Sequence, residues 1–131
     1  MKDILCDGFQ HTVDEYLVRH RSVIDIMSKL QEANARVNRA VSKAVTACGC
    51  IRVAANRQSA PMDVSIEEVR NHMDSHLEGS LCEHCKEIIE TEMGNHLFYL
   101  TALCNSLHLN LYDVLLKEHK KLSTLRFFNF S

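Results

Sequence analysis

The chain has 131 residues, with 17 acidic and 15 basic side chains and a formal net charge of −2. That length suits one domain with a real core, and the near balance of charge excludes the electrostatic footprint of a nucleic-acid or anionic-membrane partner. No apolar run approaches the ~18 residues of a membrane span, and the acids in the opening MKDILCDGFQ break any secretory apolar stretch, so the sequence predicts a cytoplasmic chain.

One proline and four glycines leave few helix breakers. No convincing period-2 strand is visible. The expectation is an all-α bundle of about five helices, two of them long, in a single domain over 1–131. Thr12 with Glu15 reads as a capping box opening a short helix to about His20. Ser22 with Asp25 opens a long helix to about Ala47, with Val23, Ile24, Met27, Leu30, Val37, Val41, Ala44 and Val45 at helical spacing, ended by Gly49. Residues 51–64, with Pro61 and several amides, read as an irregular connecting loop. Ser65 with Glu68 caps a third helix to about Leu77, broken at Glu78-Gly79-Ser80. Ser80 with Glu83 caps a fourth, from Leu81 to about Leu107, and Asn110 with Asp113 starts a fifth, to about Leu122. An aromatic tail, residues 124–131, ends the chain and is expected to dock.

Two cysteine pairs carry the strongest chemical signal: Cys48-Gly-Cys50 and Cys82-Glu-His-Cys85. Two thiolates close in sequence, meeting two more from a distant segment, are what a tetrahedral zinc site needs. In a reducing compartment such pairs read as metal ligands ahead of reduced structural thiols or disulfides. Zinc and an iron–sulfur cluster both accept four thiolates, and a redox role uses the same residues. Cys82 and Cys85 fall in the first helical turn, where the dipole favours thiolates; Cys48 and Cys50 follow a helix end, where it does not. The metal would therefore clamp the end of one long helix to the start of the other. His84 reads as exposed or as a neighbour of the ligands. His72 and His76, four apart, form a weaker candidate pair, and solvated histidines are the commoner case. Cys104 reads as a core residue; Cys6 carries no signal.

Polar residues interrupt the apolar stripes. On the fourth helix Leu81, Cys85, Ile88, Ile89, Leu100, Leu103 and Leu107 share a face, with Glu83, Glu87 and Glu90 opposite. Glu92 and His96 fall within the stripe and Asn95 on its edge. On the second helix Asn34 lies near mid-stripe, flanked by Gln31 and Asn38, while Arg36, Arg39 and Lys43 point outward. Facing each other, these groups would form either a hydrogen-bond network that fixes helix register or dimer pairing, or a ligand site. Gly94, mid-helix at a cost of ~1 kcal/mol, suggests close approach of another backbone.

The stretch Glu92-Met-Gly-Asn-His-Leu-Phe-Tyr-Leu100, then Ala102-Leu103, Leu107-His-Leu-Asn-Leu111, Val114-Leu115 and Lys117, resembles the second half of MazG-type nucleoside triphosphate pyrophosphohydrolases. The likeness is best over residues 87–122. It implies an all-α fold that associates as a homo-oligomer, a dimer in preference. It also implies a nucleotide ligand cleaved between its α- and β-phosphates with magnesium held by paired acids. Glu92 matches the first acid of the second pair, and Asn95 stands where that family has aspartate. Gln31 and Asn34 fall nearest the first pair, and neither is an acid. By this resemblance Glu92, Asn95 and His96 are the catalytic candidates, and Gln31, Asn34, Asn38, Lys117 and Lys120 the ligand-binding ones. One carboxylate among neutral amides supplies little of the charge magnesium seeks. The cysteine pairs lie outside the family pattern. The competing reading is a non-catalytic, zinc-stabilised helical interaction or regulatory module.

Overall fold

The computed structural model describes residues 4–125. The expected tail, residues 124–131, lies almost wholly outside that range. Five α-helices, two of them long, dominate the fold: α1 (Ile4–Tyr16), α2 (Val23–Lys43), α3 (Ile66–Val69), α4 (Glu83–Ser106) and α5 (Leu111–Leu125). A two-stranded ribbon joins them, β1 (Ile51–Val53) antiparallel to β2 (Leu77–Gly79).

The first helix starts earlier than its capping signal. Phe9, Val13 and Leu17 recur at four-residue spacing and pack with Ile26 of α2 and Ala102 of α4, so tertiary burial extends α1 through Thr12 instead of starting there. It stops at Tyr16 because Arg21 folds back. The Arg21 guanidinium donates to the Asp14 and Leu17 carbonyls and pairs with the Asp14 carboxylate at 2.7 Å, capping the free carbonyls of the last turn.

The long helices α2 and α4 form the main packed pair. Ala33 and Ala44, each 1% exposed, lie along the inner side of α2 with half-buried Ala40. Small side chains here bring the helix axes close. Enlarging one should force them apart: Ala33→Leu is expected to cost about 1–3 kcal/mol, read from urea unfolding, whereas Ala35→Leu on the exposed side should be near neutral.

Two clusters hold this pair at its ends. At one end Val13, Leu17, Ile26 and Ala102 are buried together with Phe9, Phe98, Tyr99 and Leu103, and Phe98 and Tyr99 meet edge to face with centroids 5.1 Å apart. At the other end Ala44, Ile51, Cys85 and Ile89 are buried, with Ala40, Val45, Cys50 and Cys82 against them. Cys104 is buried, as its apolar neighbours suggested.

Three sequence expectations need correction. Residues 51–64 are not wholly irregular, because Ile51–Val53 is a strand. Three residues are too few to show alternation, and the partner strand lies 26 positions on, so pairing rather than local preference makes this ribbon. The third helix does not reach Leu77: Ile66–Val69 continues only as a 3₁₀ turn, Arg70–His72, then Met73 is extended. Gln58 explains the stop, since its side chain accepts from the Asp74 N–H at 3.0 Å and donates to the Asp74 carbonyl at 2.6 Å, holding that segment extended. Gly94 meets no other backbone, because a Cβ built there contacts nothing within 4 Å.

Several local signals act as read. Ser65 Oγ accepts from the Glu68 N–H at 3.3 Å, and Asn110 Oδ1 from the Asp113 N–H at 2.9 Å. Glu83, Glu87 and Glu90 are exposed.

Candidate metal centre

The second helix closes with a wide π-helical turn, Ala44–Cys48, in which the Gly49 N–H reaches back to the Ala44 carbonyl at 2.9 Å. Gly49 takes φ +79°, a left-handed conformation that glycine adopts without strain. The chain therefore reverses between Cys48 and Cys50, and both sulfurs turn to one side. Ile51 follows immediately, buried at 4% exposure, and anchors β1 against Cys85 and Ile89.

From the other direction β2 leads into Cys82. Gly79 sits opposite Ile51 in the ribbon with φ +87°, and a Cβ there would lie 2.5 Å from the Cys50 carbonyl oxygen. Only glycine lets the two strands close at this point. Arg52 and Glu78 face each other across the ribbon and form an ion pair. Cys82, not Ser80, then caps α4: its Sγ accepts from the Cys85 N–H at 3.4 Å.

The four sulfurs of Cys48, Cys50, Cys82 and Cys85 converge within 4.8 Å of one another. All four are free thiols. Cys48 Sγ and Cys82 Sγ stand 3.8 Å apart, far beyond the ~2.05 Å of a disulfide. A tetrahedron with metal–sulfur bonds of ~2.3 Å has sulfur–sulfur edges of about 3.8 Å. The spacing is thus that of four ligands around one ion.

Electrostatics at the two helix ends differ. The Cys85 N–H, followed by the Cys85 thiol, lowers Cys82 to about 7. Burial, then the Cys82 thiol, raises Cys85 to about 12. At Cys48 the backbone N–H of Cys50 and the Cys85 thiol pull downward, but the Cys82 and Cys50 thiols and desolvation outweigh them and the net shift is upward. Four crowded thiols cannot all ionise without a cation, and a divalent ion that displaces their protons relieves that repulsion. Metal affinity should therefore fall as pH falls, because protons compete for the sulfurs. A drop of at least tenfold per unit below neutrality is expected in a competition titration with a chromogenic chelator.

The other sequence candidates are less gathered. Glu92 and His96 are half-buried on α4, whereas Asn95, Gln31, Asn34 and Asn38 are exposed. Asn34 and His96 line one shallow depression between α2 and α4 with Val37, Met93 and Leu97. Glu92 turns to the other side of the pair, where it accepts from Arg36 Nε at 3.2 Å. Arg36 also pairs with Glu32. The outward position expected for Arg36 holds, but its long stem lets it reach across the helix boundary. Lys117 and Lys120 are exposed on α5, whose main packing is against α1. His72 and His76 do not share a helix face: His72 ends the 3₁₀ turn, and His76 adopts φ +59° just before β2. His84 is exposed.

Among the described residues the cysteine set is the one group of three or more potential ligands close enough to hold a metal ion. No helix of the described residues is long and apolar enough to cross a membrane. Comparison with family models, curated proteins and solved structures finds no match for this chain. Sequence reasoning missed the ribbon that brings the pairs together. Gly79 was its one visible trace, and it reads equally as a helix breaker.

Proposed function

We propose that Cys48, Cys50, Cys82 and Cys85 hold one zinc ion in a closed structural site. On this reading the chain is a non-catalytic helical interaction module whose two long helices are fixed by that clamp. The observation that carries it is the convergence of four thiols within 4.8 Å, with a 3.8 Å edge. Zinc suits this set better than an iron–sulfur cluster. A cluster interposes several iron and sulfide atoms between its cysteines, and sulfurs this close leave room for a single ion. Four protein ligands leave no open position for water, which is the mark of a structural rather than a catalytic zinc. The site joins the end of α2 to the start of α4 beside the buried Ala44–Ile51–Ile89 cluster, so its binding energy acts as folding energy. Elemental analysis of protein purified without added metal tests this: one zinc per chain supports the clamp, and protein with no metal but unaltered folding contradicts it.

A second reading follows the resemblance to MazG-type enzymes, in which Glu92, Asn95 and His96 act on a nucleotide bound near Gln31, Asn34, Asn38, Lys117 and Lys120. One observation favours it: Glu92 and His96 project from α4 toward α2, with Arg36 and Asn34 as their neighbours. Against it stands the Arg36–Glu92 ion pair, which occupies the carboxylate that would bind magnesium. Pyrophosphate release across a panel of nucleoside triphosphates with Mg²⁺ or Mn²⁺ separates the two readings. Turnover lost in Glu92→Gln favours the enzyme, and neither binding nor turnover favours the module.

A further inference from the structure

The chain alone leaves too much surface uncovered. Its accessible area is 10210 Å² at 15.0 kDa, against about 7,000 Å² for a compact monomer of that mass. Nine residues lie outside 4–125. At about 160 Å² per fully exposed residue they account for no more than roughly 1,400 Å². An excess of roughly 1,800 Å² remains, about twice what each partner buries in a standard interface.

One face accounts for much of it. Along α2 the positions Met27, Asn34 and Val41 recur every seven residues on one side of the inner seam. Along α4, Met93 and Leu100 recur likewise, with Leu97 between them. Turned at 100° per residue, both rows lie on the same side of the antiparallel pair, and Asn34, Met93 and Leu97 indeed line one depression. Met27 is 56% exposed, Met93 48% and Leu97 51%. A seven-residue apolar repeat is the pattern of helices packed on two neighbours, as in a four-helix bundle, yet each of these helices has one long neighbour here. The opposite side of the pair carries Arg36, Arg39, Lys43 and Glu92 and needs no cover. α5 points the same way, since none of its 15 residues is buried and Val114, Leu115, Leu122 and Leu125 are exposed.

We infer that a second copy of this chain covers the Met27–Asn34–Val41 and Met93–Leu97–Leu100 face, so that two α2–α4 pairs build one four-helix bundle. A second copy is the occupant the face specifies. It is a flat, two-helix surface with a heptad repeat and few charges, which matches its own kind, and the uncovered area exceeds a dimer's need. Asn34 and His96 then have a role that the single chain does not give them. They lie mid-face among apolar side chains, where a polar residue fixes register by being satisfied in one alignment only.

The test is analytical ultracentrifugation of the full, zinc-loaded chain. The wild type is expected to sediment as a dimer, twice the 15.0 kDa chain mass, at about 100 μM, and Asn34→Lys to weaken it about 100-fold. Asn34 is exposed in the single chain, so this variant leaves the monomer's fold and its zinc content unchanged, which circular dichroism and elemental analysis check. Met93→Glu/Leu97→Glu should act in the same direction. A monomeric wild type at that concentration overturns the inference. So does an assembly whose dissociation constant is unmoved by Asn34→Lys.

Discussion

Cys85→Ser is expected to release the metal and lower the melting temperature by about 10–20 °C, the largest effect of any single substitution outside the helix core. Cys85 is the buried member of the four, packed with Ala44, Ile51 and Ile89. Its loss removes one ligand of a closed tetrahedron, and three thiolates with a hydroxyl hold zinc far less tightly. The remaining sulfurs lose the cation that lets them ionise together. The end of α2 is then tied to the start of α4 only by that small apolar cluster and a three-residue ribbon. Differential scanning calorimetry with and without a strong chelator checks this. The chelated wild type should melt near the variant, and chelator should leave the variant unmoved. A variant that melts with the wild type would mean that the thiols carry no stabilising ion.

Gly79→Ala should be nearly as damaging, although it touches no ligand side chain. The added methyl would lie 2.5 Å from the Cys50 carbonyl oxygen, and the backbone there has φ +87°. The neighbour is main chain, so no side-chain rotation relieves the contact. Strain of roughly 2 kcal/mol or more is expected from the left-handed conformation alone, and separating the strands would add to it. The ribbon sets the register between the two cysteine pairs, so zinc affinity should fall along with stability. Gly49→Ala, also left-handed but with open space around it, should cost less and serves as the control. Equal losses at the two positions would show that close strand approach contributes nothing.

Much of the helical frame is legible in the sequence. Ser22, Ser65 and Asn110 mark helix starts at the right places, and Gly49 ends the second helix in the conformation that glycine favours. These are local signals, written in a few adjacent residues. The metal site is legible for the same reason, because the spacing within each pair is local. What joins the pairs is not. The β1–β2 ribbon is made by residues 26 positions apart, and neither strand is long enough to show a period. Thr12 misled because a capping pattern within a helix is silent when burial of Phe9 and Val13 carries the helix through it. The polar residues of the stripes were correctly found to be out of place in an apolar face. Their partners were not legible, since whether Asn34 is buried depends on what lies beyond the chain. Glu92 found Arg36, a residue read as pointing to solvent, because a guanidinium on a long stem reaches around a helix that a wheel treats as rigid.

The central claim is that one metal ion sits among four thiolates and clamps the two long helices. Zinc K-edge X-ray absorption on the purified, unsupplemented protein tests it most directly. The account predicts a single shell of four sulfur atoms at about 2.3 Å. A shell containing nitrogen or oxygen ligands, or a protein that folds and melts normally with no zinc bound, would contradict it.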